Sequence, residues 1–165
     1  MKEIFHRTSV RNYQEKQVEE EKITMLLKAA MAAPSAGNQQ PWEFIVVENP
    51  AALKDLSKAS PYAGCVAKAP MAIVALGDKN RFRFEENWQM DLSAAVENIL
   101  LEADHLGLGA VWLGIAPLSE RMEAVSELFH LSDNLIPFAV IPCGYPVTEV
   151  QQQKRYDEAR IHYIK

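Results

Sequence analysis

Cysteine is scarce in this sequence of 165 residues, and the patterns that cysteine chemistry needs are missing. Cys65 and Cys143 lie far apart without CxxC spacing, so neither a disulfide framework nor a structural zinc site is expected. No apolar run approaches the roughly 20 residues that span a bilayer, and the start, MKEIFHRTSV, lacks the apolar stretch of a signal peptide. We therefore expect a cytoplasmic protein with no membrane partner.

Positive charge is also in short supply. The chain has 17 Lys and Arg against 22 Asp and Glu, which gives a formal net charge of −5. Binding to duplex nucleic acid needs a basic surface that releases phosphate counterions. Nucleic acid is thus not an expected partner, and any recognition of phosphate has to come from a local cluster of residues.

Several common catalytic signatures are absent as well. There is no P-loop and no GxSxG elbow, and the one GxG, Gly107 to Gly109, lies between a helical pattern and a strand pattern. The dinucleotide fingerprint needs the strand first. The histidines show no HExxH spacing, and we interpret them as surface or structural residues: His6, His105, His130 and His162.

What the sequence does contain is a regular succession of helical and strand patterns, with 48% hydrophobic residues. This composition and length predict a single domain over 1–165 with one sizeable core. Hydrophobic periodicity and Pro/Gly breaks predict the elements. In chain order they are a helix over about 18–32, strand 42–47, helix 50–58, a loop or irregular helix over 60–70, strand 71–77, helix 88–106 with Gly107 as its cap, strand 110–115, helix 119–129, strand 137–143 and an edge strand at 161–164.

The segment RTSVR, residues 7–11, is a candidate anion site. Arg7 and Arg11 bracket the hydroxyls of Thr8 and Ser9. Guanidinium groups offer forked donors to phosphate oxygens, and hydroxyl and backbone donors add to them. Two surface arginines on an amphipathic segment are the commoner explanation of such a pair. Both interpretations stay open at this point.

The segment APSAGNQQPW, residues 33–42, is a candidate site for a flat ligand. Its small residues would let the backbone approach a planar ring closely, and Asn38, Gln39 and Gln40 carry amides that suit the polar edge of a heterocycle. The alternative is a turn stabilised by local amide hydrogen bonds. The strand VWLGI, 111–115, would offer main-chain groups to the same ring, or is simply a buried strand.

Taken together, these motifs resemble the nitroreductase family over nearly the whole chain. The motifs that carry the resemblance are RTSVR, APSAGNQQPW, LGLGAVWLGI and the ending CGYP…KRYDEARIHY. The resemblance implies an α+β fold with a mixed central sheet flanked by helices. It also implies an intertwined homodimer, with FMN bound at the interface and contacted by both subunits.

The resemblance further implies which residues contact FMN. The phosphate, ribityl and pyrimidine side would be held by Arg7, Thr8, Ser9 and Arg11, with the basic tail residues Lys154 and Arg155. From the other subunit, the flavin would be reached by Pro34, Ser35, Ala36 and Asn38. The backbone of Leu113 and Gly114 would lie near the flavin N5.

The activity implied is a ping-pong transfer of hydride from NADH or NADPH to a small electrophile such as a nitroaromatic or a quinone. No catalytic side chain is assigned, because the cofactor carries the redox chemistry. The alternative is an FMN storage or sensor protein without efficient turnover, since every motif concerns binding. Reductive dehalogenation on the same scaffold is a third possibility. Two segments have no fixed role: 79–88, either a cover over the site or an ordinary packed loop, and 63–68, where Lys68 would replace a polar flavin contact.

Overall fold

A five-stranded sheet forms the centre of the molecule. The structure is a computed structural model that describes residues 2–148 and 154–165. The strands are β1 Trp42–Val47, β2 Met71–Asp78, β3 Gly109–Ala110, β4 Leu113–Gly114 and β5 Leu135–Gly144. Their order is β1-β2-β5-β3, and β4 also pairs with β5. The ladders between these strands are antiparallel. In the described part of the chain, parallel pairing is confined to a bridge between Ser9 and Ala110.

Five α-helices accompany this sheet in the described ranges. They are α1 Glu3–His6, α2 Glu20–Met31, α3 Pro50–Leu56, α4 Trp88–His105 and α5 Ser119–Phe129. The Asn49 side chain caps α3 and Pro50 occupies its first turn, as the preference of proline for this position predicts. Gly107 has φ +73° just after α4, so the predicted left-handed cap is confirmed. The predicted α+β fold, a sheet flanked by helices, is thus present.

The two faces of β2 divide the core into two layers. Met71, Ile73 and Ala75 belong to the cluster that α2 and α4 complete with Leu26 and Ile99. The alternate residues of β2 face α3, α5 and the irregular helix Ala63–Lys68. All eight residues of β2 are buried, because a central strand has helices on both faces.

Two of the predicted strands differ from the structure. The run 110–115 is not one strand but β3 and β4, separated by two residues. Val111 N–H donates to the carbonyl of Pro142 at 3.4 Å, but Pro142 has no N–H to return a bond, so the ladder breaks there. The edge strand at 161–164 is wrong: a 3₁₀ turn, Glu158–Arg160, is followed by exposed, irregular chain. Within the described residues, 161–164 pair with no strand of their own subunit.

None of the helices in the described ranges combines the length and the apolar character that crossing a bilayer requires.

Candidate functional site

The segment 7–11 packs directly against β3, the strand that precedes the LG motif, Leu113–Gly114. Val10 N–H donates to the Ala110 carbonyl at 3.0 Å, next to the Ser9–Ala110 bridge. A Cβ added to Gly109 would lie 2.7 Å from the Val10 side chain, so this close approach requires glycine. Two motifs that are about a hundred residues apart in the sequence are therefore neighbours.

Arg7 lies in a cleft with both predicted tail residues. The cleft is lined by Arg7, Lys154, Arg155 and Glu97 together with the apolar side chains of Ile4, Phe5 and Tyr156. The Arg7 side chain is only 16% exposed, and its Nε lies 3.4 Å from Oε1 of Glu97. Among the described residues that line the cleft, three are cationic and one is a carboxylate, so these residues carry a net positive charge in an acidic chain.

The other residues of the segment take different positions. Thr8 lines an adjoining pocket with Arg7 and Gly109. Arg11 is exposed, and its Nη1 lies 3.5 Å from the Ser9 carbonyl. Burial raises the pKa of the Cys65 thiol, while the Arg11 charge acts in the opposite direction. Arg11 is not among the residues that line the Arg7 cleft.

Two histidine–carboxylate pairs tether α1, which leads into Arg7, to the end of α4. His6 Nδ1 lies 2.8 Å from Asp104 Oδ1, and His105 Nδ1 lies 3.2 Å from Glu3 Oε1. A hydrogen bond from its own backbone and then one with His105 lower the pKa of Glu3 to about 2. The tether fixes where the segment 7–11 begins.

The loop between α2 and β1 has an unusual backbone. Gly37, Asn38 and Gln40 have φ values of +52°, +56° and +47°, in the left-handed region that residues other than glycine seldom adopt. Ser35 Oγ accepts from Gln40 N–H at 3.0 Å, and Gln40 Nε2 donates to Asn38 Oδ1 at 2.9 Å. Pro34 and Asn38 are exposed, and Ser35 and Ala36 are partly so. This loop is a turn held by its own amides that also leaves its backbone accessible.

Gln39 and Asp91 anchor this loop to α4, and the sequence interpretation missed this role. Gln39 is 6% exposed and Asp91 5% exposed, and Gln39 Nε2 donates to Asp91 Oδ2 at 2.6 Å. The interpretation of Gln39 as a ligand-facing amide is therefore wrong. The available signal was Asp91 itself, a carboxylate four residues before Ala95 on the apolar side of α4.

The segment 79–88 packs against the fold through its aromatic residues. Phe82 stacks on Trp88 with ring centroids 5.8 Å apart, and Trp88 meets Phe138 edge-on at 5.8 Å. Phe84 lies over Gly37, where an added Cβ would be 2.3 Å from the ring. The interpretation of this segment as a packed loop is supported, and Phe84 is 40% exposed beside the 34–40 loop.

The LG motif presents backbone at the sheet edge. Leu113 is buried, whereas Gly114 is exposed and a Cβ added to it would meet nothing within 4 Å. Arg121 Nη1 donates to the Gly114 carbonyl at 2.9 Å, and its guanidinium lies 5.6 Å from the centroid of the Tyr62 ring. The space beside the Gly114 Cα is therefore open, while the Gly114 carbonyl is held by Arg121.

The 34–40 loop and Arg7 contact α4 at different places. Ala36 N–H donates to Asp91 Oδ1 at 2.9 Å, while Arg7 pairs with Glu97. Six residues along a helix correspond to about 9 Å along its axis and about 120° around it. One chain therefore presents the predicted contacts as two separate surfaces. The assignment of 34–38 to the flavin of the other subunit stays a prediction.

Comparison with known proteins decides the family. A model described as the nitroreductase family matches residues 4–145. This chain belongs to the nitroreductase family. A protein from Archaeoglobus fulgidus, provisionally named an NADH dehydrogenase/NAD(P)H nitroreductase, is 43% identical over 169 residues, which cover 100% of this chain and 97% of the relative.

Two solved structures extend the comparison. The crystal structure of a provisionally named NADH oxidase from Clostridium acetobutylicum is 52% identical with a TM-score of 0.96, and the match covers 99% of both chains. A provisionally named nitroreductase from Desulfovibrio desulfuricans, in complex with FMN, is 28% identical with a TM-score of 0.87, covering 99% of this chain and 95% of that one. The resemblance read from the motifs and the fold class are thus confirmed. The roles of individual residues stay predictions.

Proposed function

We propose that the whole chain, 1–165, is one FMN-binding domain that acts as an oxidoreductase. NADH or NADPH would be the electron donor, and nitroaromatics, quinones or related small electrophiles the acceptors. The family supports this proposal, as do an NAD(P)H nitroreductase name among its relatives and an FMN complex among its structural neighbours. Reduced nicotinamides are coenzymes of the cytoplasm, where we propose that the protein works.

The observation that carries the proposal is the meeting of Arg7 with Lys154 and Arg155 in one cleft. These residues come from opposite ends of the chain, and each can donate charge-assisted hydrogen bonds to a phosphate dianion. Glu97 offsets part of the charge and holds Arg7 at 3.4 Å. The residues present fit the terminal phosphate of FMN.

The ring end of FMN also fits the described surfaces. The accessible backbone of the 34–38 segment would approach the flat ring, with Phe84 packed over Gly37 beside it. Gly114 would present main-chain groups, because nothing fills the space beside its Cα. Arg11, which lies outside the Arg7 cleft, would serve the pyrimidine side. Bound FMN would supply the hydride chemistry, in two half-reactions that share one site. The chain's own residues bind and orient the reactants and exclude water, and no side chain acts as a nucleophile.

We further propose a homodimer in which the tail of each chain embraces its partner. Phe5, Tyr156 and Tyr163 are 77%, 80% and 74% exposed, and Ile164 is wholly exposed. Large apolar side chains gathered at the chain ends are typical of a surface that another chain covers. A partner subunit would also bring its own 34–38 loop to the cleft.

Titration of the purified protein with FMN, followed by anaerobic addition of NADH or NADPH, tests the function. We expect tight binding, bleaching of the flavin absorbance by at least one nicotinamide, and turnover with menadione or a nitrofuran. Tight FMN binding without bleaching would favour the storage or sensor function instead. Absence of FMN binding would contradict both.

A further inference from the structure

Asp91 is a buried carboxylate that the proposed function does not use. Its Oδ1 accepts from Ala36 N–H at 2.9 Å and its Oδ2 from Gln39 Nε2 at 2.6 Å. A buried carboxylate is costly unless hydrogen bonds compensate it, and these two bonds are aided by its place in the first turn of α4. Both oxygens of Asp91 are therefore acceptors whose donors come from the 36–39 loop.

Gln39 carries this connection onward to the 79–88 segment. Its Oε1 accepts from the N–H groups of Arg83 at 2.8 Å and Phe84 at 2.9 Å, and its Nε2 also donates to the Phe84 carbonyl at 3.2 Å. The amide thus uses two donors and two acceptor positions, which is its full capacity. Only one orientation of the amide satisfies Asp91 and both N–H groups.

The loop that these residues hold is strained and closely packed. Left-handed backbone at Asn38 and Gln40 persists only where the surrounding structure over-determines it. Phe84 lies so close to Gly37 that a Cβ there would overlap its ring. The position of the loop and that of Phe84 are consequently fixed by the same set of contacts.

We propose that Asp91 and Gln39 form a positioning relay, which sets the backbone of residues 36–38 for the flavin ring and places Phe84 beside it. This inference rests on the proposed function and deepens it. Neither residue would touch FMN. Asp91 would act through the loop, and Gln39 would couple the loop to the segment that borders the site.

The chemistry of the relay allows a rescue experiment. In Asp91→Asn the new amide has one oxygen and cannot accept hydrogen bonds from both Ala36 and Gln39. If the Gln39 amide turns over so that its oxygen faces the new NH₂ group, its own NH₂ group then faces the N–H groups of Arg83 and Phe84. The double variant Asp91→Asn with Gln39→Glu restores an acceptor for each of these donors and keeps the net charge. The bond to the Phe84 carbonyl is lost, and the carboxylate introduced at position 39 places an acceptor oxygen near that carbonyl.

FMN and riboflavin titrations of the full-length variants provide the measurement. We expect Asp91→Asn to weaken both ligands by the same factor, about tenfold, as loss of a charge-assisted hydrogen bond would. The double variant should bind both ligands more tightly than Asp91→Asn does, because the lost acceptors are restored. Val125→Ala, in the core on the other face of the sheet, is the matched control, and it should lower thermal stability without changing either affinity.

Gln39→Met provides a second test that keeps the bond between Asp91 and Ala36. It should accelerate hydrogen exchange at the Arg83 and Phe84 amides and also weaken FMN binding, so the relay remains testable should Asp91→Asn not fold. Parental affinity in Asp91→Asn or in Gln39→Met overturns the relay and leaves the proposed function intact. A double variant no better than Asp91→Asn overturns it as well. A parent protein that binds no FMN overturns both proposals.

Discussion

Arg7 Nε lies 3.4 Å from Glu97 Oε1, so the first cation of the 7–11 segment is oriented by the middle of α4. Arg7→Ala should remove a charge-assisted contact of roughly 1.5 to 3 kcal/mol to the FMN phosphate, which weakens FMN binding by about one to two decades. Riboflavin has no phosphate and is the control. Its affinity should be the same in both proteins, and parental FMN affinity in Arg7→Ala would show that Arg7 does not bind the phosphate.

Glu97→Gln tests the electrostatics of the same cleft with the opposite sign. The carboxylate would repel the FMN phosphate, and its side chain is 46% exposed, so solvent screens the effect. Removing its charge should tighten FMN binding by up to about fivefold at low salt, the range of an exposed charge pair, and less at high salt. A weaker complex at both salt concentrations would mean that Glu97 orients Arg7 more than it repels phosphate.

Ending the chain after Thr148 tests the role of the tail. The contacts of residues 145–147 with the N-terminal segment remain, including the bond from Val147 N–H to the Asn12 carbonyl at 3.2 Å, so the fold should persist. Lys154 and Arg155 are removed together with the exposed aromatic residues. We expect weaker FMN binding and a monomer by sedimentation velocity. A truncated protein that stays dimeric and binds FMN as the parent does would contradict this role.

The hydrogen bond between Tyr145 and Glu19 predicts a pH dependence of stability. The hydroxyl donates to Glu19 Oε2 at 2.6 Å, and this bond, followed by one from the backbone, lowers the pKa of Glu19 from 4.5 to about 2. A lowered folded-state pKa stabilises the fold above pH 4.5 and loses this effect as the pH falls towards 2. The urea midpoints of the parent and Glu19→Gln should therefore converge between these pH values.

Tyr145→Phe is the matching control for that experiment. It removes the hydroxyl that is the largest cause of the shift and keeps the ring over which Lys16 lies at 3.7 Å. Its midpoint should converge with that of the parent over the same pH range. A constant difference at all pH values would place the origin of the effect elsewhere.

The sequence predicted those elements whose bounds depend on neighbouring residues in the chain, and it failed where residues distant in the chain decide the structure. β1 is rich in β-branched and aromatic residues, and its predicted ends, 42 and 47, are those observed. The break between β3 and β4 was not predictable locally, because it comes from Pro142 on the neighbouring strand. The terminal strand was not predictable, because a strand also needs a partner strand and a short apolar run does not specify one.

The candidate site likewise has parts that local sequence predicts and parts that depend on contacts between distant residues. The motifs identified the family, and Arg7, Lys154 and Arg155 line one cleft, while their contact with FMN stays a prediction. The pairing of Asp91 with Gln39 spans 52 positions in the chain, and no local pattern specifies such a contact. Gln39 and Gln40 look equivalent in the sequence, yet one is buried and the other exposed, because left-handed backbone at Asn38 and Gln40 stands on either side of Gln39.

The break that Pro142 causes also affects how this edge of the sheet can meet other molecules. A long, regular edge strand is a template for strand addition and aggregation. Here the edge consists of two strands of two residues each, and one of them is already paired with Ser9. Gly114 can therefore leave its backbone open to a small ligand without offering a continuous ladder to a foreign β-strand.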